Sequence, residues 1–219
     1  MSLRGTLVAQ FRRPQGLLGG LAGRIMANRA SNIARNHWTV DLLDIHPGDR
    51  VLEIGCGPGI GLKRCLTMTG AGLVVGLDHS DVMIRQASHR NAAALDDGRL
   101  RLCHGDLTAL SEFGYGFTHA FSVNVAQFFP DKVAAFNAVA EVLTPGGLLA
   151  VTHQPRGTDT SLQTSLAMAE TLETVLEQAG FTQLRTEQLD LKPTPVICVI
   201  GQRHERYSHL NSSQYNPPA

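Results

Sequence analysis

The chain has 219 residues, of which 43% are hydrophobic and 17% are charged. That composition is enough for one α/β domain with a substantial core, and it excludes a disordered chain. No apolar run approaches the roughly 18 residues of a membrane-spanning helix, and the four cysteines show no CxxC spacing. We therefore expect a cytoplasmic protein in a reduced compartment, without a metal site.

Charge is balanced over the whole chain but not along it. Lys plus Arg and Asp plus Glu both total 19, which argues against a protein that grips long nucleic acid through many phosphates. Residues 1–40 nevertheless hold six arginines and no acid. Such a basic segment could meet an anionic substrate, a membrane surface or the acidic remainder of its own domain.

The first predicted elements are an arm over residues 1–20 and a helix over 21–43. Asparagines recur every four residues within that helix, at Asn28, Asn32 and Asn36. Asparagine is a mediocre helix former, so three in a stack are unusual on a plain solvent face. We interpret residues 1–46 as an arm and helical lid over a pocket. The alternative is a cap helix on the sheet edge with its asparagines in solvent.

Strands and helices alternate after the turn at 46–49. The predicted strands cover 50–54, 73–77, 100–103, 117–123, 148–152, 181–191 and 196–200, and the predicted helices cover 60–69, 80–95, 130–143 and 160–178. Strands separated by helices indicate βαβ units and a parallel sheet. The last two strands are too close in sequence for a helical crossover, so we expect an antiparallel hairpin at one edge. The core should span 47–202, before a flexible tail over 203–219.

A glycine-rich loop follows the first strand, with glycines at positions 55, 57, 59 and 61 and an acid at Glu53. Glycines permit a tight turn and let a ligand lie against the backbone. A dinucleotide fingerprint has the spacing G-x-G-x-x-G/A, but Ile60 would occupy its third glycine position. The spacing therefore suits a ligand without a pyrophosphate. A tight strand-to-helix turn with no ligand is the alternative.

Two further acids end the next two strands. Asp78 follows the second strand, where a carboxylate can accept hydrogen bonds from two ribose hydroxyls. Asp106 follows the third, where a carboxylate can accept from an adenine amino group. Open α/β sheets bind ligands at the carboxyl ends of their parallel strands. Glu53, Asp78 and Asp106 together therefore predict a nucleoside site.

These segments together resemble the class I S-adenosylmethionine-dependent methyltransferases over residues 47–202. The resemblance is carried by VLEIGCGPG at 51–59, GLDHS at 76–80, HGDL at 104–107 and LTPGGL at 143–148. It implies a three-layer, Rossmann-like α/β sandwich with a seven-stranded, mostly parallel sheet whose last strand is antiparallel. It also implies S-adenosylmethionine as the cofactor.

The resemblance assigns expected roles at the cofactor site. Glu53 and the loop would hold the methionine part, Asp78 the ribose, and the remaining residues the adenine and the sulfonium. The full expected set is Glu53, Gly55, Cys56, Gly57, Gly59, Asp78, His79, Met83, Gly105, Asp106, Leu107, Asn124 and Val125. His79 and Met83 would flank the adenine, and Asp106 with Leu107 would read its edge.

The acceptor should lie over the ends of the fourth and fifth strands. Family members that methylate exocyclic amines often carry Asn/Asp-Pro-Pro-aromatic after the fourth strand; Asn124 is present here but the prolines are absent. His153 ends the fifth strand and is a candidate general base, because its pKa can be near neutral. The expected acceptor-binding residues are Asn28, Asn32, His37, Trp38, Gln127 and Phe128.

We therefore expect an enzyme that moves a methyl group to a small-molecule acceptor by in-line displacement, as a monomer or homodimer. Three alternatives remain open: a protein or RNA methyltransferase, an NAD(P)-dependent oxidoreductase, and a non-catalytic cofactor-binding module.

Overall fold

The computed structural model describes residues 30–155, 161–192 and 194–204. The predicted arm, Asn28 and nearly all of the predicted tail lie outside the described residues. The helices are α1 (Ala30–Asp41), α2 (Ile60–Leu66), α3 (Asp81–Arg90), α4 (Ala92–Asp96), α5 (Lys132–Val142) and α6 (Leu162–Gln178). The strands are β1 (Arg50–Ile54), β2 (Leu73–Asp78), β3 (Leu100–His104), β4 (Phe117–Val123), β5 (Leu143–His153), β6 (Phe181–Leu189) and β7 (Val196–Arg203).

The seven strands form one sheet in the order β3-β2-β1-β4-β5-β7-β6. Neighbours from β3 to β5 pair in parallel, whereas β7 is antiparallel to both β5 and β6. The expected mostly parallel sheet with an antiparallel last strand and a closing hairpin is therefore confirmed. The strand order reverses between β1 and β4, and ligands of open α/β sheets bind in the crevice at such a point.

Two apolar clusters cover the two faces of the sheet and make the fold three-layered. One face packs against α5 and α6 through residues such as Phe136 and Leu172. The opposite face packs against α1 to α4 through residues such as Val40 and Leu62. Successive strand residues alternate between the clusters, as Val74 and Val75 do, because side chains along a strand point to opposite faces.

Capping side chains fix where α5 and α6 begin. Asp131 accepts a hydrogen bond from the backbone N–H of Ala134 (2.9 Å), and Ser161 accepts one from Thr164 (3.1 Å). Each satisfies a backbone donor that the first turn of a helix leaves without a partner. No helix in the described ranges is long and apolar enough to cross a bilayer.

Two of the differences between the predicted and the observed bounds have a clear structural cause. The helix expected over 80–95 is divided at Asn91, whose side chain donates to the backbone oxygens of Ala87 (3.1 Å) and Gly59 (3.2 Å). The fifth strand begins at Leu143 rather than 148, because Leu143 already pairs with Phe117 of β4 before a shift in register. Both differences arise from contacts between segments that are distant in sequence.

Candidate active site

The glycine loop after β1 has the backbone conformation that only glycine adopts without strain. Gly55, Gly57 and Gly59 have φ angles of 67°, 51° and 78°. The N–H groups of Gly55 and Cys56 both donate to the carbonyl of Leu77 in β2, at 2.7 and 3.0 Å. The loop is thereby held down on the neighbouring strand, with its open side toward the carboxyl edge of the sheet.

Space at Gly55 is fully used by the segment that follows β4. A Cβ atom built on Gly55 would lie 2.4 Å from Cγ2 of Val125, closer than real Cβ contacts allow. At Gly57, by contrast, a Cβ would meet nothing within 4 Å. The loop is therefore closed on the β4 side at Gly55 and open at Gly57.

The buried side chain of Glu53 has one oxygen without a hydrogen-bond partner among the described residues. The residue is 1% exposed, and among the described residues its Oε2 atom has no hydrogen-bond partner. Burial raises the pKa of Glu53 well above its usual value, against a smaller lowering by the backbone N–H of Leu62. A buried acceptor without a partner is costly, and a bound ammonium group would satisfy it. The residues present therefore fit the amino-acid end of S-adenosylmethionine.

The raised pKa of Glu53 predicts a pH-dependent stability in the absence of ligand. The unfolded chain has an ordinary glutamate pKa of about 4.3, so unfolding releases the proton that the folded state retains. The Glu53 contribution to stability should be full below that pH and decline as the pH rises toward the folded-state pKa. We expect Glu53→Gln to remove this decline, measured as thermal unfolding midpoints from pH 5 to 8.

The matched control is Glu141→Gln, at an exposed position of α5. It should retain the pH slope of the wild type. An unchanged slope in Glu53→Gln as well would show that the carboxyl of Glu53 does not carry this dependence.

Asp78 joins the glycine loop to the end of β2. Its Oδ2 accepts from the N–H of Gly57 at 2.8 Å, and its Oδ1 accepts from the N–H of Ser80 at 2.9 Å. Nδ1 of His79 lies 3.7 Å from the same Oδ1. The side chain is buried, so these bonds hold the carboxylate in one orientation at the crevice. Sequence reasoning assigned Asp78 to a ribose but did not anticipate its contact with the loop.

The residues expected around an adenine lie at the ends of β2 and β3. Met83 is buried in the first turn of α3, and His79 is exposed. Asp106 is exposed and accepts from the N–H (2.9 Å) and the hydroxyl (2.6 Å) of Thr108. These hydrogen bonds lower the pKa of Asp106. Leu107 and Gly105 flank it, and the N–H of Gly105 donates to the carbonyl of Asp78 at 3.0 Å.

Asn124 organises the turn that follows β4. Its φ angle is 57°, a left-handed conformation that asparagine tolerates better than most residues. Its N–H donates to the carbonyl of Thr152, and its Oδ1 accepts from the N–H of Gln154, both at 2.8 Å. Gln127 donates its side-chain amide to the carbonyl of Asn124 at 2.8 Å. Phe128 beyond it is 49% exposed, so it presents an aromatic ring at this edge.

His153 is the last residue of β5 and is 8% exposed. Burial, and secondarily the positive charge of Arg35, lowers its pKa to about 4. Its Nδ1 has no hydrogen-bond partner within the described ranges. The imidazole is therefore neutral at physiological pH and is a weaker base than an exposed histidine.

The neutral state of His153 should appear in the acid stability of the protein. The unfolded chain binds the proton near pH 6.5, whereas the folded chain binds it near 4. The stability that neutral His153 contributes to the folded state is thus full above the unfolded-state pKa and is lost as the pH falls toward 4. Between pH 7 and pH 5, we expect the urea concentration at the unfolding midpoint to fall less in His153→Gln than in the wild type.

The control is His89→Gln, at an exposed position of α3. Its urea unfolding midpoint should fall as much as that of the wild type over the same pH range. Identical losses in both variants would contradict the buried, neutral state of His153.

The face of α1 that carries the asparagines packs against the end of β5. Arg35 is buried and donates to Oε1 of Gln154 and to Oδ1 of Asn32, both at 2.5 Å. Asn36 donates to the carbonyl of Asn32 at 2.8 Å, and the hydroxyls of Thr39 and Thr152 lie 2.7 Å apart. Of the described asparagines, Asn36 is buried and Asn32 is half-buried, and the lid role of residues 1–46 stays a prediction. The contact between Arg35 and Gln154 was not predicted from the sequence, although an arginine between two asparagines of one helix face indicated a polar contact there.

Two residues expected on the acceptor side have other surroundings. His37 lines a surface groove of about 300 Å³ between α1, α2 and the end of α3, together with Lys63 and Arg90. Trp38 packs against the apolar cluster that α1 shares with the sheet. No three His, Cys, Asp or Glu side chains in the described part of the chain come together as a metal site.

Comparisons with known proteins show similarity to methyltransferases. Residues 51–147 match the family described as a methyltransferase domain. An uncharacterized methyltransferase, YdaC of Bacillus subtilis, is 28% identical over 84% of this chain and 98% of its own length. A 24-methylenesterol C-methyltransferase of Oryza sativa is 29% identical over 58% of this chain, but this match covers only 34% of that relative.

Two solved structures share the fold. The phosphoethanolamine N-methyltransferase 2 of Haemonchus contortus, in complex with S-adenosylhomocysteine, has a TM-score of 0.60 at 17% identity and covers 78% of this chain and 52% of its own. The [4+2]-cyclase SpnF has a TM-score of 0.65 at 17% identity and covers 79% and 81%. At this identity, the structures show the fold alone.

The strand order, the glycine loop and the acids at successive strand ends define a class I methyltransferase fold. With the domain match over residues 51–147 and these relatives, the chain is similar to the S-adenosylmethionine-dependent methyltransferases of this class.

Proposed function

We propose that the protein transfers the methyl group of S-adenosylmethionine to a small-molecule acceptor. The observation that carries this proposal is the burial of the polar residues at the end of β5, with His153 at 8% and Gln154 at 4% exposure. A buried edge suits a small acceptor that can be enclosed. It does not suit a polyanion, which binds through exposed basic side chains.

The cofactor would be held by residues along the carboxyl ends of β1 to β4. Glu53 would accept from the ammonium of the methionine part, and Asp78 has further acceptor capacity for ribose hydroxyls. The adenine would lie among His79, Met83, Asp106 and Leu107. Gly55, Cys56, Gly57, Gly59 and Gly105 would supply close backbone approach, with Asn124 and Val125 near the sulfonium.

When bound, the cofactor supplies a methyl group already activated by the positive sulfur. The bond from the acceptor atom to the methyl carbon forms as the carbon–sulfur bond breaks, and sulfur retains the electron pair. The protein therefore contributes mainly alignment and the exclusion of water. Neutral His153 would orient the acceptor or take its proton, and Gln127 and Phe128 would bound it on the β4 side.

The acceptor side can be tested with labelled S-adenosylmethionine. The protein would be incubated separately with small apolar and hydroxylated acceptors, with RNA and with a protein mixture, and S-adenosylhomocysteine release would be measured. Release that depends on a small molecule supports the proposal. Label found only in RNA or protein would overturn it, and binding of NADH in place of S-adenosylhomocysteine would favour an oxidoreductase.

The 29% identity to a sterol methyltransferase makes apolar acceptors the first group to try. A cytoplasmic location, a monomeric or homodimeric state, and the division at residues 46 and 202 stay predictions.

A further inference from the structure

Gln154 lies where three segments of the fold meet. It directly follows β5 and is 4% exposed. Its backbone N–H donates to Oδ1 of Asn124 at 2.8 Å, its Oε1 accepts from Arg35 at 2.5 Å, and its Nε2 donates to the carbonyl of Thr194 at 2.7 Å. One residue thus contacts the turn after β4, helix α1, and the segment leading into β7.

The backbone contact leads toward the cofactor loop. Asn124 is held in its left-handed conformation by bonds to Thr152 and Gln154. The next residue, Val125, occupies the space where a side chain on Gly55 would lie. The end of β5 therefore helps to set the wall against which the glycine loop packs.

The side-chain contact leads toward α1. The guanidinium of Arg35 bridges two amide oxygens, one from Gln154 after β5 and one from Asn32 within α1. The bond between Arg35 and Gln154 joins residues 119 positions apart. Removing the amide of Gln154 would leave both a guanidinium donor and the Thr194 carbonyl without that partner in the interior, which is costly.

We propose that Gln154 is a positioning residue that sets α1 against the carboxyl ends of β4 and β5. It acts through Arg35 and Asn124 and need not touch the cofactor or the acceptor. Its consequence for catalysis rests on the proposed function, in which that edge receives the acceptor. Disturbing it should therefore affect the acceptor more than the cofactor.

The position of α1 can be followed without an acceptor, because Trp38 is the single tryptophan of the chain and lies in α1. Acrylamide quenching of its fluorescence reports how well α1 is packed. Gln154→Met keeps the length of the side chain without its hydrogen bonds, whereas Gln154→Glu keeps an oxygen that can accept from Arg35. Gln178→Met makes the same change at an exposed position of α6.

We expect Gln154→Met to raise the quenching constant by about twofold or more. Gln154→Glu should raise it less, because a charged acceptor keeps the bond to Arg35 although the donor to the Thr194 carbonyl is lost. Gln178→Met should match the wild type. Equal quenching in the Met and Glu variants of Gln154, or no change in either, would overturn the proposal. If Gln154→Met fails to fold, Arg35→Lys replaces it, because one ammonium cannot reproduce the forked contacts.

Binding and kinetics separate positioning from general stability. S-adenosylhomocysteine affinity should stay within about threefold in each folded variant, while Gln154→Met should raise the acceptor KM by about tenfold, with kcat changed less. An unchanged KM despite altered Trp38 quenching would make the contact merely structural and overturn the proposal. Wild-type protein that fails to bind S-adenosylhomocysteine would instead contradict the proposed function, and the Trp38 comparison would still be decided.

Discussion

Asp78→Ala is expected to weaken S-adenosylhomocysteine binding by at least about 30-fold, which corresponds to about 2 kcal/mol. The substitution would remove the carboxylate that accepts from the ribose hydroxyls. It would also remove the Oδ2 atom that accepts from the N–H of Gly57 at 2.8 Å and holds the loop. The first loss removes direct contacts with the ligand, and the second loosens the loop that would bind it. Isothermal titration calorimetry of each protein with S-adenosylhomocysteine measures the difference.

The control for this experiment is Asp81→Ala. Asp81 is an exposed aspartate three residues away, and it pairs with Arg85 on the surface of α3. Its loss should leave the affinity unchanged, because a solvent-exposed ion pair contributes little. Equal affinities for wild type and Asp78→Ala would remove Asp78 from the ribose site.

Gly55→Ala is expected to lower the free energy of unfolding by about 3 kcal/mol, from left-handed strain and overpacking together. The added Cβ would lie 2.4 Å from Cγ2 of Val125. Because Val125 must move, the loop should also lose most of its affinity for S-adenosylhomocysteine. Urea unfolding measures the first effect and calorimetry the second.

Gly57→Ala separates strain from collision in the same loop. Gly57 also has a positive φ, but a Cβ there meets nothing within 4 Å. We expect only the conformational cost, about 1 kcal/mol. Equal losses of stability at positions 55 and 57 would show that the contact with Val125 does not matter.

Much of the fold could be predicted because local signals agree with the tertiary structure. The strand at 117–123 has the predicted bounds, and so does the strand at 50–54. Each is a short, mostly buried strand bounded by glycine or by polar residues. The break at Asn91 and the early start of β5 could not be predicted, because they depend on Gly59 and Phe117, partners remote in the sequence.

The candidate site divides in the same way. Glycine spacing and acids at strand ends pointed to the cofactor side, because each signal lies within one short segment. The roles of Arg35 and Gln154 depend on α1 and the end of β5 meeting across 119 positions. The unmatched Oε2 of Glu53 likewise follows from packing, since the sequence shows only an acid in an apolar strand.

A crystal structure of the protein with S-adenosylhomocysteine tests the central claim most directly. We predict the amino group of the ligand at Oε2 of Glu53, its ribose hydroxyls on Asp78, and its sulfur beside Val125. Density for the ligand away from the glycine loop, or only solvent across it at saturating ligand, would contradict the account.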